Sequence, residues 1–285
     1  MKMTGIVAVC VLLLTGCGGS GDSTSRSAPA VSEPDITVTE NVSYRQVLAL
    51  NATSPDVNMA YGEEPLQTGD LWMPADVVSP PLVIVIHGGC WSNQYGPEQL
   101  YPLASALQED GFAVWVPGFR RSGDEGGGWP GTLEDVVQSI NYIYQQNEYP
   151  FDETSVTLAG HSSGGHLALL ASQQITLPVA RITGLAPVTD IVAYSQGASS
   201  CQQAVTSFMG SRREDDPEAW AEANPVSYSY GTPLWILAGE QDITVAIEQN
   251  PIPEATFVVV ERAGHFDWLH PDTPAFQVFT SLLAR

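Results

Sequence analysis

The run Gly160-His161-Ser162-Ser163-Gly164-Gly165 constrains this chain more than any other. Residues 155–159 before it are short, β-branched and apolar, the composition of a buried strand, and residues 166–171 after it read as a helix. A strand must therefore turn into a helix within a few residues. Glycines flank the serine because so sharp a turn leaves little room for side chains. A hydroxyl at its apex, that of Ser162, is held out above the sheet at the positive end of a helix. The spacing Gly-x-Ser-x-Gly also occurs in glycine-rich turns that do no chemistry, so the rest of the chain decides what Ser162 does.

The chain on either side alternates strand-like and helix-like segments. Residues 82–86 form a continuous apolar run behind Pro80 and Pro81, the pattern of a strand buried on both faces, and lead into His87-Gly88-Gly89-Cys90-Trp91. Leu100, Leu103, Ala104 and Leu107 recur at helical spacing, and residues 112–116 form the next apolar run. A helix is expected from Thr132, with Val136 and Ile140 on one face, and further strands at 181–186, 234–238 and 256–260. Such alternation predicts an α/β fold: a mostly parallel, doubly wound sheet with helices on both faces. Residues 44–50 and 69–73 are expected as edge strands. The polar stretch 190–230, acidic at Glu214-Asp215-Asp216, breaks the pattern and is expected to be irregular, a small cap-like insertion that contacts substrate.

Charge narrows the partners. The formal net charge of −22 argues against nucleic acid or an anionic membrane surface. Lys2 is the only lysine; a lysine-free acidic surface fits a salty habitat and fits a compositional bias of the lineage equally well. The first residues read as a targeting segment, with Lys2 ahead of an apolar stretch, residues 5–14, that is short for a membrane span. Leu14-Thr15-Gly16-Cys17 resembles the bacterial lipobox. That resemblance implies a signal peptide over 1–16, lipidation of Cys17, and an envelope location in which membrane contact comes only through the lipid. Gly18 in the following position leans towards the outer membrane. Residues 17–35, rich in Gly, Ser, Ala and Pro, are expected as a flexible tether, and 36–285 as the folded domain. Beyond the targeting segment and Cys17, Cys90 and Cys201 remain. An oxidising compartment permits a bridge between them, but the sequence leaves open whether they pair or stay free.

A serine hydroxyl needs a base within hydrogen-bond reach and a third group to orient that base. Of five histidines, His87 lies in the glycine loop, His161 in the turn itself and His166 one turn into the following helix, positions that suit structural roles. His265 follows the last strand, where a loop can swing its ring over Ser162, whereas His270 precedes Pro271 on the approach to the final helix. Asp242, in a strand-end loop between serine and histidine in chain order, is the expected orienting acid, with Glu240 its nearest rival. Backbone N–H groups of Gly89, Cys90 and Ser163 are candidates to bind a developing oxyanion.

Four motifs taken together, His-Gly-Gly-Cys-Trp at 87–91, the serine turn, Gly239-Glu240-Gln241-Asp242 and Gly264-His265-Phe266, resemble the α/β-hydrolase serine esterases. Within them the chain is similar to the branch holding kynurenine formamidase-like and acetyl-esterase-like enzymes. Pro130-Gly131-Thr132-Leu133-Glu134-Asp135-Val136, Tyr61-Gly62 and Asp70-Leu71-Trp72-Met73-Pro74 extend the likeness over most of the chain. The resemblance implies a triad of Ser162, Asp242 and His265, an acyl-enzyme, a small-molecule ester substrate, and no metal or organic cofactor. A formamide-cleaving enzyme with the same triad and a non-catalytic binding lipoprotein are the alternatives. Oligomeric state and acyl length are not encoded in any motif.

Overall fold

A computed structural model describes residues 39–249 and 252–284. The expected signal peptide, the lipidation site Cys17 and the tether lie outside the described residues. Eight strands form one sheet: β1 (Val57–Ala60), β2 (Thr68–Trp72), β3 (Pro81–Ile86), β4 (Ala113–Pro117), β5 (Asp152–His161), β6 (Arg181–Leu185), β7 (Leu234–Gly239) and β8 (Thr256–Val260). Their order is β1-β2-β4-β3-β5-β6-β7-β8, with β1 and β2 antiparallel and β3 to β8 parallel.

Strand alternation sorts the core into two layers. Leu82, Ile84 and Ile86 of β3 and Trp115 of β4 face one layer, and Val83, Val85, Val114 and Val116 face the other. Helix α1 (Tyr44–Leu48) precedes β1, and α2 (Tyr101–Glu109) and α3 (Gly131–Ile143) follow β3 and β4. Leu133, Val136, Ile140 and Ile143 of α3 cover the first layer together with α4 (Ser163–Ala171). Leu103 and Leu107 of α2 cover the second layer. The long apolar strands are thus buried on both faces, as their composition requires.

Two expectations fail, for one physical reason. Tyr44–Leu48 is a helix and not an edge strand: Ser43 caps the N–H of Gln46, and the Gln46 side chain accepts from the Ser43 N–H. The stretch 190–230 is not irregular. It holds α5 (Ile191–Tyr194), α6 (Ser200–Met209) and α7 (Pro217–Glu222), and α6 begins with the same reciprocal pair, Ser199 and Gln202. Each capping box satisfies two N–H groups that a new helix would otherwise leave open, which outweighs the weak local pattern. Residues 69–73 do lie in or beside strand β2. The last helix, α8 (Pro274–Leu283), closes the second layer with Phe276, Phe279 and Leu282. Among the described residues no helix is long and apolar enough to cross a membrane.

The register places the chemistry. Ile86, the last residue of β3, pairs with Gly160 in the adjacent β5, so the loop after β3 lies beside the serine turn. Gly239 at the end of β7 pairs with Val260 at the end of β8, which brings the next two loops side by side. All four loops leave the carboxyl ends of parallel strands, the edge at which open α/β sheets bind ligands.

Candidate active site

Ser162 stands between β5 and α4 with φ 56° and ψ −122°, a region that costs a non-glycine residue energy and persists only where the surroundings enforce it. Here they do: the Ser162 N–H donates to the Leu185 carbonyl at 2.9 Å, and its carbonyl accepts from the N–H of His166 at 3.2 Å. Gly164 lets the turn approach β3, since a Cβ there would come within 2.2 Å of the Ile86 carbonyl oxygen. The sharp turn predicted from the glycine spacing is therefore enforced by packing of α4 against the sheet.

His265 and Asp242 meet as expected. His265 Nδ1 donates to Asp242 Oδ2 at 2.7 Å, and the other carboxylate oxygen accepts from the N–H groups of Thr244 and Val245 at 2.8 and 2.9 Å. Burial opposes the charge on Asp242, but the His265 ring, the bond to it and the two N–H groups together hold the carboxyl below the usual carboxylate range. The rival acid is occupied elsewhere: Glu240 accepts from the Arg262 N–H in an exposed pair. His270 takes part in a local turn, accepting from the Asp272 N–H. Ser162 and His265 line the same cavity of about 200 Å³ without a direct hydrogen bond, a contact that commonly tightens only when substrate is engaged.

The glycine loop forms another wall of that cavity. Gly89, Cys90 and Trp91 all carry positive φ, at 118°, 55° and 56°. A Cβ at Gly89 would fall 2.4 Å from the Tyr95 side chain, so glycine is required there on both counts. Among the described residues the N–H groups of Gly89 and Cys90 donate to no protein acceptor, and Ser163 opens α4, whose first N–H groups have none within the helix. Cys90 and Cys201 form a disulfide with Cα atoms 5.1 Å apart, which resolves the pairing the sequence left open. Ser200 and Cys201 of α6 thereby enter the cavity wall.

Three other histidines are buried, and each is hydrogen-bonded to backbone within the fold. His87 donates from Nδ1 to the Gly88 carbonyl at 2.7 Å and stacks on Phe119; burial pushes its ring down to about 3. His161 donates from Nε2 to the His265 carbonyl at 2.8 Å, and burial, then the neighbouring His265, lower it to about 3. His166 accepts from Trp91 Nε1 on Nδ1 and donates from Nε2 to the Ala223 carbonyl, with burial lowering it to about 4.

Several contributors were missed in the sequence. Tyr44 reaches the cavity only because α1 is a helix, and there it packs on Tyr95 and Phe266 with ring centroids 5.7 and 5.5 Å away. Asp267, two residues past His265, is fully buried and accepts from the N–H groups of Asn41 and Val42, both at 2.6 Å. It anchors the segment that carries Tyr44. Asp135, within the motif 130–136, is held by the Arg120 guanidinium through two bonds and by Gln67.

A model of the BD-FAE family matches residues 70–254, well over half of the chain. Among curated proteins, Esterase LipQ of Mycobacterium tuberculosis is 27% identical over 201 residues, covering 64% of this chain and 47% of LipQ. The probable carboxylic ester hydrolase LipM of the same organism is 23% identical over 215 residues, covering 68% of this chain and 49% of LipM. The chain spans about half the length of the curated relatives it matches. Among solved structures, esterase B from Lactobacillus rhamnosis superposes with a TM-score of 0.68 at 20% identity, covering 85% of this chain and 88% of that one. A truncated carbohydrate esterase from gut microbiota gives 0.67 at 20% identity, covering 81% and 98%. These likenesses establish the α/β-hydrolase fold.

Proposed function

This chain belongs to the BD-FAE family, and we propose that it hydrolyses carboxylic esters of small molecules through an acyl-enzyme on Ser162. One observation carries the reading: His265, bonded at 2.7 Å to the buried Asp242, shares its cavity with a serine held on a turn at φ 56°. The esterase names of the curated relatives point the same way.

In this mechanism Ser162 Oγ attacks the ester carbonyl carbon as His265 Nε2 takes its proton. Asp242 accepts the Nδ1 proton, fixes the tautomer and stabilises the imidazolium. The carbonyl oxygen, now an oxyanion, receives the N–H groups of Gly89, Cys90 and Ser163; one such donor is typically worth about 10²–10³ in rate. Collapse returns the Nε2 proton to the departing alcohol. Water, deprotonated by His265, then attacks the acyl-serine and releases the acid. A cavity of about 200 Å³ suits a short acyl group.

The same proposal places the protein in the cell envelope, tethered through a lipid on Cys17, with the domain at 36–285 and α5 to α7 as its cap. The lipobox-like sequence supports the tether, and a disulfide suits an oxidising compartment. Fatty-acid labelling that survives Cys17→Ala would remove the anchor from the proposal.

A fluorophosphonate probe on the signal-free protein and on Ser162→Ala tests the chemistry, followed by p-nitrophenyl acetate, butyrate and octanoate. Labelling lost in the variant, with the acetate turned over fastest, is the expected result. A folded protein that neither labels nor turns over any ester would be a binding protein, and far faster cleavage of N-formylkynurenine would make it a formamidase.

A further inference from the structure

The Cys90–Cys201 disulfide joins two pieces of the cavity wall that the fold otherwise brings from distant parts of the chain, 111 residues apart. Cys90 lies in the loop after β3, and Cys201 in the first turn of α6. Both line the cavity that holds Ser162. Cys90 is also a non-glycine residue at φ 55°, followed by Trp91 at φ 56°. Each of these conformations is disfavoured by roughly 1–2 kcal/mol for an L-residue, so the loop needs outside restraint to keep them.

The restraint comes from two helices and from Ser122, whose N–H donates to the Trp91 carbonyl at 2.8 Å. From α4, the Ser163 hydroxyl accepts the Trp91 N–H at 3.3 Å and His166 accepts Trp91 Nε1 at 3.2 Å. From α6, Phe208 stacks on Trp91 with centroids 5.1 Å apart, and Cys201 binds Cys90 covalently. The hydrogen bonds act on Trp91. Cys90 itself makes no hydrogen bond among the described residues; the disulfide and packing against the core hold it, and its N–H is left without a protein acceptor.

We propose that Cys201 is a positioning residue for hydrolysis: through the disulfide it fixes the left-handed backbone of Cys90, and so aims the oxyanion donors of the loop, while pinning α6 as the roof of the acyl cavity. The inference rests on the reading of the site as a serine hydrolase. The disulfide matters here for where it holds an N–H group, beyond what a crosslink does for stability. An oxyanion donor acts on the transition state and hardly on the bound ester, so its misplacement lowers kcat and leaves KM nearly alone.

The test compares oxidised wild type, wild type reduced with a phosphine, and Cys201→Ser. All are assayed with p-nitrophenyl acetate and the fluorophosphonate probe at a temperature well below each melting point, with near-UV circular dichroism read on the same samples. The expected result is a kcat lowered by ~10–100-fold with KM within ~3-fold, and probe labelling slowed in parallel, because part of an oxyanion donor's contribution is lost. Removal of the phosphine and reoxidation in air restore wild type, whereas Cys201→Ser, whose Cys90 has no partner thiol, does not recover. Should Cys201→Ser fail to fold, the reduced wild type, read while its native signal persists, decides the matter alone. A reduced or substituted protein that keeps both its native signal and its kcat within twofold overturns the proposal. So does a loss of kcat that merely follows the loss of native signal. Oxidised wild type that neither labels nor turns over would refute the hydrolase reading instead, a separate outcome.

Discussion

Three buried neutral histidines make the stability of this fold steeply dependent on mild acid. His87, His161 and His166 are lowered by burial to about 3, 3 and 4. Their bonds explain why a second proton has no place: His166 Nδ1 already accepts the Trp91 indole N–H, and the second nitrogens of His87 and His161 are buried without an acceptor. In the unfolded chain each ring titrates near the ordinary value of about 6.5. Between about 4 and 6.5 the unfolded state therefore binds more protons than the fold. The contribution is fully present above 6.5 and is lost as pH falls towards the folded values. Each histidine gives a slope approaching ~1.4 kcal/mol per pH unit, so three remove ~4 kcal/mol between pH 8 and 5.5 and ~6 kcal/mol by pH 5. Against a typical total of about 5–15 kcal/mol, that brings a protein of this kind close to unfolding at pH 5. Urea titrations followed by tryptophan fluorescence at pH 8, 6.5 and 5.5 measure it. His166→Gln, which removes one titrating ring, should lose about a third of the slope. A decrease of less than ~1.5 kcal/mol between pH 8 and 5.5, the share of one ring, would refute the argument that all three rings stay neutral in the fold.

Two further outcomes are expected. Asp242→Asn keeps the loop but offers His265 Nδ1 an amide in place of a carboxylate; kcat for p-nitrophenyl acetate should fall by about 10⁴ with KM little changed, and a loss under tenfold would remove Asp242 from the mechanism. Asp135→Ala leaves the Arg120 guanidinium, four-fifths buried, without its bidentate partner. Stability should fall by about 3–5 kcal/mol, a melting point lower by roughly 6–20 °C, and a shift under 3 °C in a thermal melt would show that water replaces the carboxylate at little cost.

The parts of the chain that could be read from sequence are those where a single local signal decides the outcome. The apolar run 82–86 can only be a strand covered on both faces, and the glycines around Ser162 can only be a turn made by close approach to β3. Chain order and strand ends then narrowed the acid to Asp242 or Glu240. What separates the two is the direction of the turn after β7, which points Asp242 inward to His265 and leaves Glu240 outside with Arg262, and no residue in the motif states that direction. The misread helices, α1 and α6, share a signal that was present in the sequence: a serine followed three residues later by glutamine. Tyr44 and Ser200 became cavity residues because those helices form. The roles of Cys201 and Asp267 depend on which distant segments pass by, which period and spacing do not carry.

The strand order also sets when the site comes into being. Ser162 and the glycine loop are in place once β3 and β5 have paired, but His265 follows β8, the outermost strand, which can dock only onto a completed β7. On the proposed mechanism, a chain terminated before residue 265 carries Ser162 without the base that would activate it. Ester hydrolysis at full rate by that mechanism therefore requires synthesis to have passed the final strand.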